Sequence, residues 1–159
     1  PVNKTLYRFN TYADFYDLCE VLHGIYTRYP TLEEAVHKTF VHNGLATDLV
    51  ASVTNLFNGE VKGIPTDVKS ACKRINMLLR WMVRKDEIDL GVWQTGLIKP
   101  KNLYAIMDTH VAQQAQRMGL ISYPKESWKA VMELTHVYRQ WDAEDPLKYD
   151  FILMTKNLK

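Results

Sequence analysis

Apolar residues recur along the chain at three- and four-residue intervals, and no segment shows the alternation and β-branched enrichment of a strand, so the spacing predicts an all-α protein. A first helix over about Ala13 to Tyr26 carries Phe15, Leu18, Cys19, Leu22, Ile25 and Tyr26 on one face. Thr11 followed by Asp14 supplies a capping-box start. Thr31 and Glu34 repeat that signal ahead of a second helix with Leu32, Ala35, Val36 and Phe40 inward. A third helix from about Thr47 carries Leu49, Val50, Val53, Leu56 and Phe57 and stops at Asn58-Gly59. Beyond a turn at Gly63 to Thr66, the longest helix spans about Asp67 to Lys85, and a loop runs from Asp86 to about Met107. A fifth helix covers about Asp108 to Met118 and is closed by Gly119. A sixth opens at Pro124 and includes Trp128, Val131, Met132, Leu134 and Tyr138, and a short last one runs from Pro146 through Phe151. Trp128 and Trp141 read as packing residues. With no internal repeat and no long linker, residues 1–159 are expected to form a single compact bundle of about six to seven helices.

Composition narrows this picture. A chain of 159 residues, 47% hydrophobic and 24% charged with 7 Gly and 6 Pro, has enough apolar content for a packed core and excludes disorder and low complexity. There is no apolar run of the roughly 18 residues that a membrane span needs and no secretory signal, so a soluble, cytoplasmic, monomeric protein is expected. Cys19 and Cys72 are far apart, and His23, His37, His42 and His136 show no ligand spacing, so no metal and no cofactor is expected.

Charge changes the picture more than composition does. Between Lys62 and Lys85 stand Lys62, Lys69, Lys73, Arg74, Arg80, Arg84 and Lys85 against Asp67 alone, giving this stretch +6 and the remainder −4. On a helix of about 100° per residue, Val68, Ala71, Cys72, Ile75, Leu78, Leu79 and Met82 share one side, and Lys69, Lys73, Arg80 and Arg84 fall within about 60° on the other. A solvated face is the plain explanation of such a stripe. Surface helices usually interleave carboxylates at i,i+4, however, and none stands between Asp67 and Asp86, so the cations repel unless an anion neutralises them. Phosphate is the expected anion.

Asp108-Thr109-His110 follows the apolar pair Ile106-Met107 and continues through Val111 to Arg117 and Leu120. An Asp there serves ordinarily as an N-cap. The segment nevertheless resembles the Asp-Thr-His stretch that opens a helix in the helix-hairpin-helix DNA glycosylase superfamily. Ala71 to Met82 resembles the lysine-bearing helix of the archaeal 8-oxoguanine glycosylase branch. Closer still, Ser70 to Arg74, Arg80 to Arg84, Asp89 to Trp93, the Asp-Thr-His, Trp128 to Val131 and Asp145 to Phe151 resemble, in order, a bacterial family of unknown function related to that branch. This likeness covers about residues 6 to 153. Three departures matter: the Gly-x-Gly phosphate-binding hairpin is absent near Ile64 to Val68, the chain starts at Pro1 where the resembled families carry further helices, and it ends in Thr155 to Lys159 where the bacterial family has a Gly-containing sequence. A fold of the glycosylase type, incomplete at its termini, is therefore expected.

The resemblance implies a DNA repair glycosylase that acts on double-stranded DNA and removes a flipped-out damaged base, such as an oxidised purine. By the same implication, Lys73 attacks the sugar C1′ to give a Schiff base, with abasic-site lyase activity, and Asp108 stabilises charge on the sugar. Lys69, Arg74, Arg80, Arg84 and His110 are then DNA-binding candidates. Trp81, Trp93 and Tyr104, together with Phe9, are candidate stacking walls. The cluster Asp142, Glu144 and Asp145 is expected to face away from DNA. The alternatives are a non-catalytic DNA-binding helical module and a helical domain whose cations meet an acidic protein.

Overall fold

A computed structural model describes residues 3–42 and 44–155. The chain is mostly helical, as its periodicity predicts. Where the sequence reads as one domain, the fold divides into two compact units, residues 1–67 and 68–159.

In the first unit, β1 (Thr5–Tyr7) and β2 (Asn10–Thr11) lead into α1 (Tyr12–Tyr26). Then come α2 (Leu32–Phe40), β3 (Val41–His42), β4 (Leu45–Ala46) and α3 (Leu49–Phe57). The two antiparallel ribbons, with Thr5 opposite Thr11 and Val41 opposite Ala46, correct the strand-free expectation; pairs of two or three residues are too short to leave an alternating pattern. The capping signals act as read. Thr11 Oγ1 accepts from the Asp14 amide at 3.2 Å while the Asp14 carboxylate accepts from the Thr11 amide at 2.6 Å. Lys62 donates to Asp14 at 2.9 Å and to the Phe9 carbonyl at 2.6 Å. Ile25, Val36, Leu49, Val50 and Val53 are buried at the centre, where α2 packs on α3. The expected inward face of α1 is a correction: of its six residues only Ile25 is buried, while Phe15, Tyr26 and Cys19 are exposed. The small β1–β2 ribbon and α2 are too narrow to cover a fifteen-residue helix.

The second unit holds α4 (Lys73–Val83), α5 (Thr109–Arg117), α6 (Trp128–Trp141) and α7 (Phe151–Thr155), with 3-10 turns at Pro100–Asn102 and Pro146–Tyr149. α4 is six residues shorter at its start than its apolar pattern suggests, because Cys72 sits in the left-handed region at φ +46° and breaks the helix. Its buried face includes Ile75, Asn76, Leu79, Arg80 and Val83; Val131, Leu134, Tyr138, Leu147 and Leu153 are also buried in this unit. The segment Leu103–Met107 is buried although irregular, and the Ala105 amide is satisfied by Thr135 Oγ1 at 2.9 Å. Trp141 lies at the margin against the Tyr138 and Tyr149 rings, and remains exposed. Among the described residues no helix is long and apolar enough to cross a membrane, and no cluster of His, Cys, Asp or Glu could hold a metal.

Candidate functional site

Because α4 starts at Lys73 and ends at Val83, Lys69 lies outside the helix and Arg84 is its C-cap, while Lys73 and Arg80 fall within about 20° of one another around an ideal helix axis. Lys73, Arg80 and Arg84 each meet a carboxylate of the chain itself.

At the N-terminal end of α4, Lys73 Nζ donates to Asp108 Oδ2 at 2.7 Å. Asp108 is the N-cap of α5, and its other oxygen, Oδ1, accepts from the Val111 amide at 2.9 Å. Capping and lysine pairing therefore use different oxygens of one carboxylate. The acid is positioned from behind by the buried run Ala105-Ile106-Met107 and its Thr135 hydrogen bond. The lysine is positioned by Cys72, and by Lys69 and Ser70, which run beside the start of α6: the Lys69 carbonyl accepts from the Trp128 amide at 3.1 Å, and Ser70 bridges Ser127. The pair is open to water, with side chains 43% and 35% exposed. Partial burial pushes the Asp108 carboxyl up. The Lys73 hydrogen bond, the Val111 amide and the charges of Lys73 and His110 outweigh it and hold the carboxyl below its usual value. Asp108 is thus a carboxylate at neutral pH. Lys69, Lys73 and Arg74 are exposed, and His110 is half-buried.

At the C-terminal end the cations are buried. Arg80 Nε donates to both oxygens of Asp89 at 3.0 Å, and its Nη1 donates to Asp150 at 3.0 Å; Asp150 also accepts from the Tyr138 hydroxyl at 3.1 Å. Arg84 forms a two-pronged pair with Asp145 at 2.8 Å for each bond, and a further Nη1 contact with Asp89 and with Asp86. Arg80 and Arg84 are 3% and 4% exposed, so they are withdrawn from any phosphate; this corrects their placement on an open basic face. The anions that the stripe requires are Asp89, Asp145 and Asp150. Asp145, expected to face away as part of an acidic cluster, pairs inward instead. A run of four cations without a local carboxylate was the available signal that partners come from distant sequence.

Of the stacking candidates, Trp81 is 45% exposed and Trp93 and Tyr104 are half-buried, the Tyr104 ring lying 5.0 Å from the Trp128 ring and 5.2 Å from the Arg139 guanidinium. Phe9 is exposed in the first unit, as is Lys62, which is held by Asp14.

Residues 1–159 match throughout the family described as Protein of unknown function (DUF2400). The chain belongs to this family. No curated protein and no solved structure matches it. What the DUF2400 chain offers chemically at Lys73 and Asp108 is an amine held against a proton acceptor, both within reach of a solute. An amine attacks an electrophilic carbon only after losing its proton, and the nearest acceptor already receives that hydrogen bond.

Proposed function

We propose that this DUF2400 protein is a DNA glycosylase with abasic-site lyase activity, of the helix-hairpin-helix glycosylase type, acting as a cytoplasmic monomer on double-stranded DNA that carries a damaged base such as an oxidised purine. The observation that supports this most is the 2.7 Å contact between a lysine and an aspartate brought from 35 residues apart to an exposed surface. In this proposal DNA approaches Lys73 together with Lys69 and Arg74, and the damaged nucleotide leaves the stack. Lys73 Nζ passes its proton to Asp108 and forms a bond to C1′ as the bond from C1′ to the base nitrogen breaks; the base leaves with that electron pair and takes the proton from Asp108, which as a carboxylate again stabilises the positive charge that develops on the sugar. The C1′–O4′ bond then breaks, O4′ taking a proton from Nζ, to give a Schiff base. Loss of a C2′ proton to the Asp108 carboxylate lets the C3′–O bond break, and the 3′ phosphate leaves with that electron pair.

Borohydride trapping tests it. Wild-type protein incubated with duplex containing 8-oxoguanine or an abasic site should become covalently linked, and Lys73→Ala should not. Asp108→Asn should slow trapping by at least about a hundredfold. Equally low trapping by wild type and Lys73→Ala removes the lyase mechanism. Salt-sensitive duplex binding without chemistry in either protein identifies a non-catalytic DNA-binding module instead.

A further inference from the structure

The first unit contains a cleft of about 440 Å³ that the catalytic proposal does not use. It is bounded by Tyr29 beyond the end of α1, Lys38 in the last turn of α2, His42 in β3, Thr47 ahead of α3, and Ser52 and Asn55 on α3. Among the described residues, no carboxylate lines it. Lys38 Nζ lies 5.9 Å from the centre of the Tyr29 ring, so a cation and an aromatic face are within reach of one small molecule.

The hydroxyls on the opposite wall are selective. Thr47 donates its proton to the Phe40 carbonyl at 2.9 Å, and Ser52 donates to the Asp48 carbonyl at 2.8 Å. Their oxygens stand 3.2 Å apart. Ser52 is 1% exposed and within hydrogen-bonding distance of Thr47, so of this pair only the exposed Thr47 oxygen is open to an N–H donor of a ligand. Asn55 adds a carboxamide that can donate or accept. A ligand that satisfies all three walls carries a negative group for Lys38 and His42, a flat ring for Tyr29 and an amino or imino donor for Thr47.

We propose that this cleft binds a nucleotide unit, base on Tyr29 and phosphate toward Lys38 and His42. The volume is of the size that a mononucleotide needs. The ligand is either a free nucleoside monophosphate or the 5′-terminal nucleotide of a single strand, which share this chemistry. The site lies in a different unit from Lys73 and Asp108 and does not depend on their role.

The test is titration of the isotopically labelled full chain with adenosine monophosphate, adenosine and inorganic phosphate, followed by amide NMR. Saturable shifts confined to Tyr29 and to residues 38–42 and 47–55 are expected with the monophosphate, with adenosine and phosphate each binding at least about tenfold more weakly. Lys38→Ala and Asn55→Ala, both at exposed positions, should each weaken binding several-fold, about tenfold for Lys38. Lys73→Ala should leave it unchanged, so failure here and failure of the glycosylase proposal are separable. A 5′-phosphorylated single strand that binds more tightly than the monophosphate identifies the strand end as the source; equal or weaker binding identifies the free nucleotide. No saturable shift, shifts elsewhere, inorganic phosphate binding as well as the monophosphate, or a Lys38→Ala protein with wild-type affinity would each overturn the proposal.

Discussion

The two ends of α4 place the same kind of contact, cation to carboxylate along one stripe, in opposite surroundings. At its start one lysine faces one aspartate, and both are substantially exposed. At its end two arginines face Asp86, Asp89, Asp145 and Asp150, with Asp89 and Asp150 fully enclosed. The chemistry of the side chains matches the difference. Guanidinium is permanently charged and planar and binds carboxylates through a rigid fork, which suits a fixed buried tie between α4, the loop through Asp89 and the 145–150 segment. An ammonium on a flexible stem can exchange partners and give up a proton, which suits an open position. Charge alone does not separate a scaffold from a site; burial and titratability do.

Substitutions that break each end sharpen this contrast. All four tryptophans, Trp81, Trp93, Trp128 and Trp141, lie beyond residue 67, so selectively excited tryptophan fluorescence reports on the second unit. Asp89→Ala removes the carboxylate shared by two buried arginines, leaving Arg80 only Asp150 and Arg84 only Asp145 and Asp86, and should cost about 3–5 kcal/mol in urea denaturation. A loss below about 1 kcal/mol would mean that the network is dispensable. Thr135→Val leaves the Ala105 amide without its acceptor and should cost about 1–3 kcal/mol. It should also lower the trapping rate through a displaced Asp108, without abolishing it.

Asp150 provides a pH test of the buried end. Burial pushes its carboxyl up to about 6, against the opposing pull of Arg80 and the Tyr138 hydroxyl; two guanidiniums among four carboxylates leave a surplus of negative charge nearby. The folded state therefore holds this proton between about pH 4 and 6, where the unfolded chain has released it, and wild-type stability from this group falls as pH rises through that window. Asp150→Asn lacks the proton, so its stability relative to wild type should improve from pH 4 to pH 7. A gap that stays constant would mean Asp150 is ionised throughout. The smallest effect is expected from Lys73→Ala, under about 1 kcal/mol, because exposed ion pairs contribute little to folding. That near-neutrality makes any loss of trapping by this variant a statement about chemistry.

Local signals were readable and distant ones were not. The Thr11–Asp14 and Thr31–Glu34 starts, the Asn58-Gly59 stop and the Asp108 helix start all depend on residues within a turn of one another, and all appear where the residues predict. Lys73 opens α4, Arg80 lies on its buried face and Arg84 is its C-cap. Their surroundings were not readable, because Asp145 and Asp150 join Arg84 and Arg80 from 61 and 70 residues away. The left-handed Cys72, which shortens α4 and withdraws Lys69 from it, leaves no trace in periodicity, since a cysteine is a poor choice for φ +46° on intrinsic grounds. The exposed apolar face of α1 was unreadable for a related reason: periodicity shows that a helix has an apolar face, but it does not show what covers that face.

By itself the sequence determined that the chain is mostly helical, where α1, α2 and α5 begin and α3 ends, which residues could pair by charge and which acid would open α5. These follow from backbone hydrogen bonding and steric preference within a few residues. Only the tertiary structure decided that Arg80 and Arg84 turn inward while Lys73 stays open against Asp108. Whether a charge is desolvated depends on every segment packed around it, and those segments come from across the second unit.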